Sequence, residues 1–149
     1  MKALARVLAF GFVSGLLWSI VPGILADLFS TRADVLATIV AGVVSGVVTS
    51  AVLAQLVARF GRGLTIVLGL VSLPLGAFIF GFTLALIDRF LPVLTSRTRA
   101  LTDPWTLGLN CALLSVYSTF AIGLFPLAVV TTLILRAYIV RERRTENAV

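Results

Sequence analysis

The sequence predicts an all-α, polytopic membrane protein, a bundle of four transmembrane helices forming one integral domain over residues 1–149. Three observations carry that prediction. Apolar residues make up 60% of the chain and charged residues only 12%, about half the roughly 25% charge of a soluble domain. Mean hydropathy is +1.14. Four stretches reach the roughly 20 apolar residues needed to cross a bilayer core about 30 Å thick at about 1.5 Å per residue. Runs such as Val47 to Leu56 and Ile66 to Val71 lack the apolar–polar alternation of a membrane β-barrel strand.

The first span is expected from about Val7 to Ala26, uncharged throughout. Lys2 and Arg6 precede it as in a signal peptide. Its only cleavage-like end, Ile24-Leu25-Ala26, puts a large residue where a small one is wanted, so an uncleaved helix is expected. The second span runs from about Val35 to Ala58 and the third from about Leu64 to Ile87. The fourth begins near Trp105 and continues to Leu135. About 30 residues of helix would reach about 45 Å, too long for one upright span and too short for two with a turn. It reads as one tilted helix bent at Pro126, its last turns emerging beside Arg136 and Tyr138 at headgroup level.

Basic residues orient the bundle. Lys2, Arg6, Arg59, Arg62, Arg136, Arg141, Arg143 and Arg144 fall on one side, and Arg32, Arg89, Arg97 and Arg99 on the other. Asp27, Asp34, Asp88 and Asp103 balance the second group, which leaves the net charge of +6 on the first. The positive-inside rule then puts both termini in the cytoplasm, with the chain in the cytoplasmic (inner) membrane. A pI of 11.1 follows from that topology and is no sign of nucleic acid. The expected partners are the lipid bilayer, anionic headgroups included, and further copies of this chain or other membrane subunits.

Apolar burial cannot drive helices together in lipid, so close backbone approach and interhelical hydrogen bonds must. Thr38, Gly42, Gly46, Ser50 and Ala54 recur every four residues down one face of the second span, beside a second stripe of Ala37, Ala41, Ser45 and Thr49. Such a face serves either as an oligomer interface or as the centre of the bundle. Ala77, Gly81 and Ala85 make a shorter one on the third span, with Phe78, Phe80 and Phe82 opposite. On the fourth, Asn110, Ser115, Ser118 and Thr119 are the polar candidates. Asn110 is positioned to bond Thr38 or a first-helix carbonyl, and the hydroxyls can return their hydrogen bonds to their own helix.

The chain has no histidine and one cysteine, Cys111. That excludes a disulfide scaffold, a zinc module, histidine-ligated haem and histidine acid–base catalysis. No Asp, Glu, Lys or Arg falls within a span's interior, which argues against buried-carboxylate transport chemistry and intramembrane aspartyl proteolysis. No catalytic residue, metal site or cofactor is expected. Ser72-Leu73-Pro74-Leu75, Gly81-Phe82-Thr83-Leu84 and Ile87-Asp88, with Val21-Pro22-Gly23 before them and Trp105 opening the last helix, resemble small bacterial four-span proteins labelled phage-holin-like. That label implies membrane permeabilisation, and the resemblance implies the four-helix architecture. Asp88 stands where those proteins usually carry asparagine, and the stretch Arg59 to Gly63 looks inserted. The leading expectation is a non-enzymatic accessory or scaffolding subunit. The alternative is a holin-like pore or small-solute channel or transporter.

Overall fold

In the computed structural model the described backbone covers residues 2–25, 32–91, 103–118 and 121–146, with side chains described for 5–20, 35–91, 103–118 and 121–141. It holds five helices and, among the described residues, no strand: α1 (Lys2–Leu25), α2 (Arg32–Val57), α3 (Arg62–Phe90), α4 (Pro104–Tyr117) and α5 (Ala121–Glu146). Three of these are long and apolar enough to cross a membrane among the described residues: Val35–Val57, Arg62–Phe90 and Ala121–Arg141. The described stretch of α1, Ala5–Ile20, is apolar but shorter. Large apolar side chains lie open on every helix, such as Leu17, Val52, Val71, Leu113 and Ile134. An apolar exterior of this extent suits lipid and not water.

The expectation of four helices is therefore corrected to five. The segment read as one helix from Trp105 to Leu135 ends a first helix at Tyr117 and starts a second at Ala121. Its break is not at Pro126, which sits inside α5. Val116-Tyr117-Ser118-Thr119-Phe120 are all middling helix formers, either β-branched, aromatic or able to bond their own backbone. Ser118 adopts an extended conformation and its N–H closes α4 on the Leu114 carbonyl. The Ala121 N–H, which a continuous helix would give to the Tyr117 carbonyl, instead bonds the Ser118 carbonyl at 2.9 Å. The start of α4 is well specified: Pro104 occupies the first turn, and Asp103 caps it by accepting from the Thr106 N–H at 3.1 Å.

Helix α3 is the axis of the bundle. Gly81 meets Leu107 and Cys111 of α4, Gly108 of α4 meets Phe78, and Gly69 meets Val129 of α5. Helices α4 and α5 thus run in sequence along α3, antiparallel to it, α4 on its C-terminal half and α5 on its N-terminal half. They hardly touch one another. Helix α4, with 14 residues, reaches only about 21 Å, whereas α5 is long and apolar enough to cross on its own. On the other flank, α1 packs along α2. Two apolar clusters tie the layers. Ala37, Ala41, Phe80, Leu84 and Ile87 join α2 to α3, while Leu53, Val57 and Leu135 join α2 to α5, with Phe10 and Leu68 against them.

Candidate functional site: a central cavity

The contact of α1 with α2 sets one wall. A Cβ on Gly11 would lie 2.7 Å from the Val47 Cα, and one on Gly15 would lie 2.8 Å from the Val43 Cα. Cβ atoms on Gly42 or Gly46 would overlap Ser19 and the Gly11 and Gly15 backbone in turn. Only glycine permits this approach. Gly42 and Gly46 of the small-residue stripe are thus engaged by α1 of the same chain. Thr38 and Ser50 are buried with them, and Ala54 is half-buried. On α3, Gly81 and Ala85 are buried and Ala77 is half-buried. Phe80, expected on the side opposite the stripe, is buried in the α2–α3 core, whereas Phe78 and Phe82 pack on Trp105 with ring centroids 5.8 and 5.4 Å away.

The other wall is α3 with the two separate helices α4 and α5 held against it, Gly81 close to Leu107 and Gly69 close to Val129. Between the walls lies a cavity of about 510 Å³, reached by all five helices. Gly76, the midpoint of α3, is on its lining with Ser72, Leu73 and Ala77. If α3 spans the bilayer, that point is about 21 Å from either end of the helix. Helix α1 contributes Phe10, Ser14 and Trp18, and α2 contributes Ser45, Thr49, Ser50 and Leu53. Ser115 of α4 and its C-cap Ser118 line it, as do Thr131, Thr132 and Leu135 of α5.

The polar groups divide by where their protons go. Ser72 donates to the Gly69 carbonyl at 2.7 Å, Ser115 to Ala112 at 2.7 Å, Thr131 to Leu127 at 2.8 Å and Thr132 to Ala128 at 2.9 Å. These are returns to the donor's own helix, one turn back. Ser45 instead crosses from α2 to the Gly76 carbonyl of α3, at 2.6 Å. Thr49 Oγ1 is buried without a partner, and a Cβ on Gly76 would stand 3.7 Å from it. No charged side chain is among the described lining residues. Nor does any group of three or more His, Cys, Asp or Glu come together among the described residues.

Of the polar candidates read from the sequence, Ser115 and Ser118 line the cavity, and Thr119 lies outside the described residues. Asn110 is exposed and absent from the lining. The expected bond between Asn110 and Thr38 is not formed, since Thr38 Oγ1 is buried with no partner. The 3.6-residue turn carries Cys111 and Ser115 inward and so carries Asn110 out. Ser14, Ser72, Thr131 and Thr132 were missed by the sequence reading. Their signal is helical spacing: Ser14 with Trp18, and Thr131 and Thr132 with Ala128 and Leu135, share faces one turn apart. Asp103 caps α4, while Asp27 and Asp34 fall outside the described side chains. No protein-family model, curated protein or solved structure matches the chain.

Proposed function

We propose that this protein is a conduit for small solutes, a channel or transporter that takes its solute through the central cavity. One observation carries the reading: a hydroxyl-bearing cavity at the midpoint of α3, where Ser118 ends the first half of a discontinuous helix. Irregular backbone at membrane depth is tolerated where it is buried or lines a cavity, and broken helices of this kind build solute sites in transporters. The prolines inside α3 and α5, Pro74 and Pro126, each free a further carbonyl one turn earlier. The likeness of the middle of the chain to phage-holin-like proteins leans the same way. Apolar side chains stand at its margins, Phe80 and Leu84 in the α2–α3 cluster and Leu53 and Leu135 in the α2–α5 cluster.

The accessory-subunit reading rests on two features, the small-residue face of α2 and spans without reactive or ion-coordinating groups, and the first of them was its docking surface. That face is occupied by α1, so the conduit reading stands ahead of it. On the conduit reading α1, α2, α3 and the α4–α5 pair cross the inner membrane, and both termini lie in the cytoplasm under the positive-inside rule.

Trp18 gives the test. A Trp105→Phe variant leaves it the sole tryptophan of the two, on the cavity lining. In proteoliposomes, acrylamide added to the water should quench Trp18. Ser115→Leu, which puts bulk into the cavity, should remove that quenching while the circular dichroism is kept. Trp18 equally shielded in both proteins would overturn the reading.

A further inference from the structure

We infer that the solute is lipophilic, an uncharged and mostly hydrocarbon molecule that enters from the bilayer core between α1 and α4; this rests on the cavity being the solute path proposed above. The first observation is the surface that the lining shows to an occupant. Most of it is carbon, although serines and threonines are among its residues. Ser45, Ser72, Ser115, Thr131 and Thr132 turn their hydroxyls onto backbone carbonyls, and Thr49 Oγ1 is buried. An occupant meets chiefly groups such as Phe10, Leu53, Leu73, Phe80 and Leu107. Ser14, Trp18, Ser50 and Ser118 are left with free donors among the described residues, enough for a single neutral polar group on an apolar body.

The second is what can fill such a space. The wall of an unfilled void lacks partner atoms on one side, and an apolar solute restores those dispersion contacts. Water does so poorly, since each molecule needs roughly two to four polar partners. An ion fares worse, because no charged side chain stands among the described lining residues to replace its water. The volume of about 510 Å³ falls within the roughly 300–1,000 Å³ of sites that hold compact, drug-sized molecules.

The third is access. Helices α1 and α4 both line the cavity, yet among the described residues no Cα of one comes within 8 Å of a Cα of the other. Leu114 of α4 stands on the lining and is 65% exposed, so the cavity reaches the outer surface there. The open faces of these two helices carry Val13 and Leu17 on α1 and Leu113 and Val116 on α4. In a bilayer such faces meet acyl chains. An opening framed by them admits what is dissolved in the hydrocarbon.

Photolabelling makes the test. Proteoliposomes at neutral pH are illuminated with trifluoromethyl-phenyldiazirine, an uncharged lipophilic probe, or with its benzoate analogue at the same concentration, and the adducts are mapped by mass spectrometry. The neutral probe should mark Leu73 and Phe80, buried on the lining. Excess trifluoromethylbenzene should compete there and not at Val52 on the exterior. The benzoate should mark Leu73 at least about tenfold less. It cannot arrive through lipid, so equal marking would mean a water-filled path, which overturns the solute class and leaves the conduit standing. No inner adducts from the neutral probe, with Trp18 still open to acrylamide, would do the same. Leu114→Trp, which puts bulk into the opening, should cut the inner adducts severalfold while the circular dichroism is kept; undiminished adducts would overturn entry between α1 and α4. Ser115→Leu should abolish the inner adducts and keep those at Val52. Inner adducts unchanged by it would overturn the inference, and the conduit with it if Trp18 also stays open to acrylamide in that variant.

Discussion

The seam between α1 and α2 and the seam between α3 and the α4–α5 pair use the same kinds of residue against different partners, one unbroken helix and two separate ones. In the first, Gly11 and Gly15 meet Gly42 and Gly46 backbone to backbone, with no room for a methyl group. In the second, Gly81 and Gly108 bring α4 close and Gly69 brings α5 close, yet the two partners are separate helices. A continuous partner would hold one distance from α3 along its length, whereas two helices joined at Ser118 need not. A Cβ on Gly76 would have only the Ser45 and Thr49 hydroxyl oxygens of α2 within 4 Å. Small residues therefore mark close approach at both seams, and at Gly76 they leave room beside the hydroxyls of α2.

Gly46→Leu tests the tight seam, and its effect should be the largest. Even a Cβ at this position would lie only 2.5 Å from the Gly15 Cα, and backbone cannot yield as a flexible side chain can. Overpacking of a close contact costs about 1–3 kcal/mol when neighbours can adjust, and here they cannot. The expected outcome is loss of monodisperse protein in mild detergent, or a fall of about 3 kcal/mol or more in unfolding free energy. Ser115→Leu, facing the cavity, should fold with near-wild-type stability. Equal damage from both would erase the distinction between the seams.

Much of this was legible in the sequence. Periodicity found α2 and α3 within a few residues of their ends, because long uncharged runs leave helix as the only hydrogen-bonded state in lipid. The stripe through Gly42 and Gly46 was legible as a packing face, but its partner was not. Gly11 and Gly15 on the first helix are the matching feature, and pairing two stripes is a tertiary fact that one helix's period does not contain. The break at Ser118 was hidden for a different reason. No charged residue interrupts Leu113 to Ile122, so a window wide enough to average over Tyr117-Ser118-Thr119 sees one long span. The cue lay in helix propensity over Val116 to Phe120, usually a weak one because packing overrides it. Here α4 and α5 have only α3 in common as a main partner, which leaves that weak preference little to oppose it.

Leu135→Ala probes the margin of the cavity where α5 meets α2. Leu135 is 1% exposed and packs with Leu53 and Val57, where α5 meets α2 below the hydroxyls. Truncation removes the packing of one buried leucine, worth about 2–5 kcal/mol in soluble cores. The value should fall towards about 2 kcal/mol here, because lipid is as apolar as leucine. The same change opens an apolar constriction of the cavity, so solute flux in proteoliposomes should rise while stability falls. Flux and stability falling together would mean that this cluster supports the path and does not close it.

Asn110→Leu carries the smallest expected effect and the sharpest geometric question. Asn110 stands on α4 one residue before Cys111, but Cys111 lines the cavity and Asn110 is exposed on the other side. A conduit inside one chain has no use for it, and an exposed replacement of this kind changes stability by about 0.5 kcal/mol or less. Flux should stay within about twofold of wild type. A holin-like pore is built differently, from the outer faces of several copies, and there an exposed amide on an otherwise apolar helix face would sit at the contact or in the lumen. A large loss of flux in Asn110→Leu, with Ser115→Leu left active, would move the path from the cavity to the boundary between chains. The contrast between the two seams would then describe how one chain folds, while permeation would belong to the assembly.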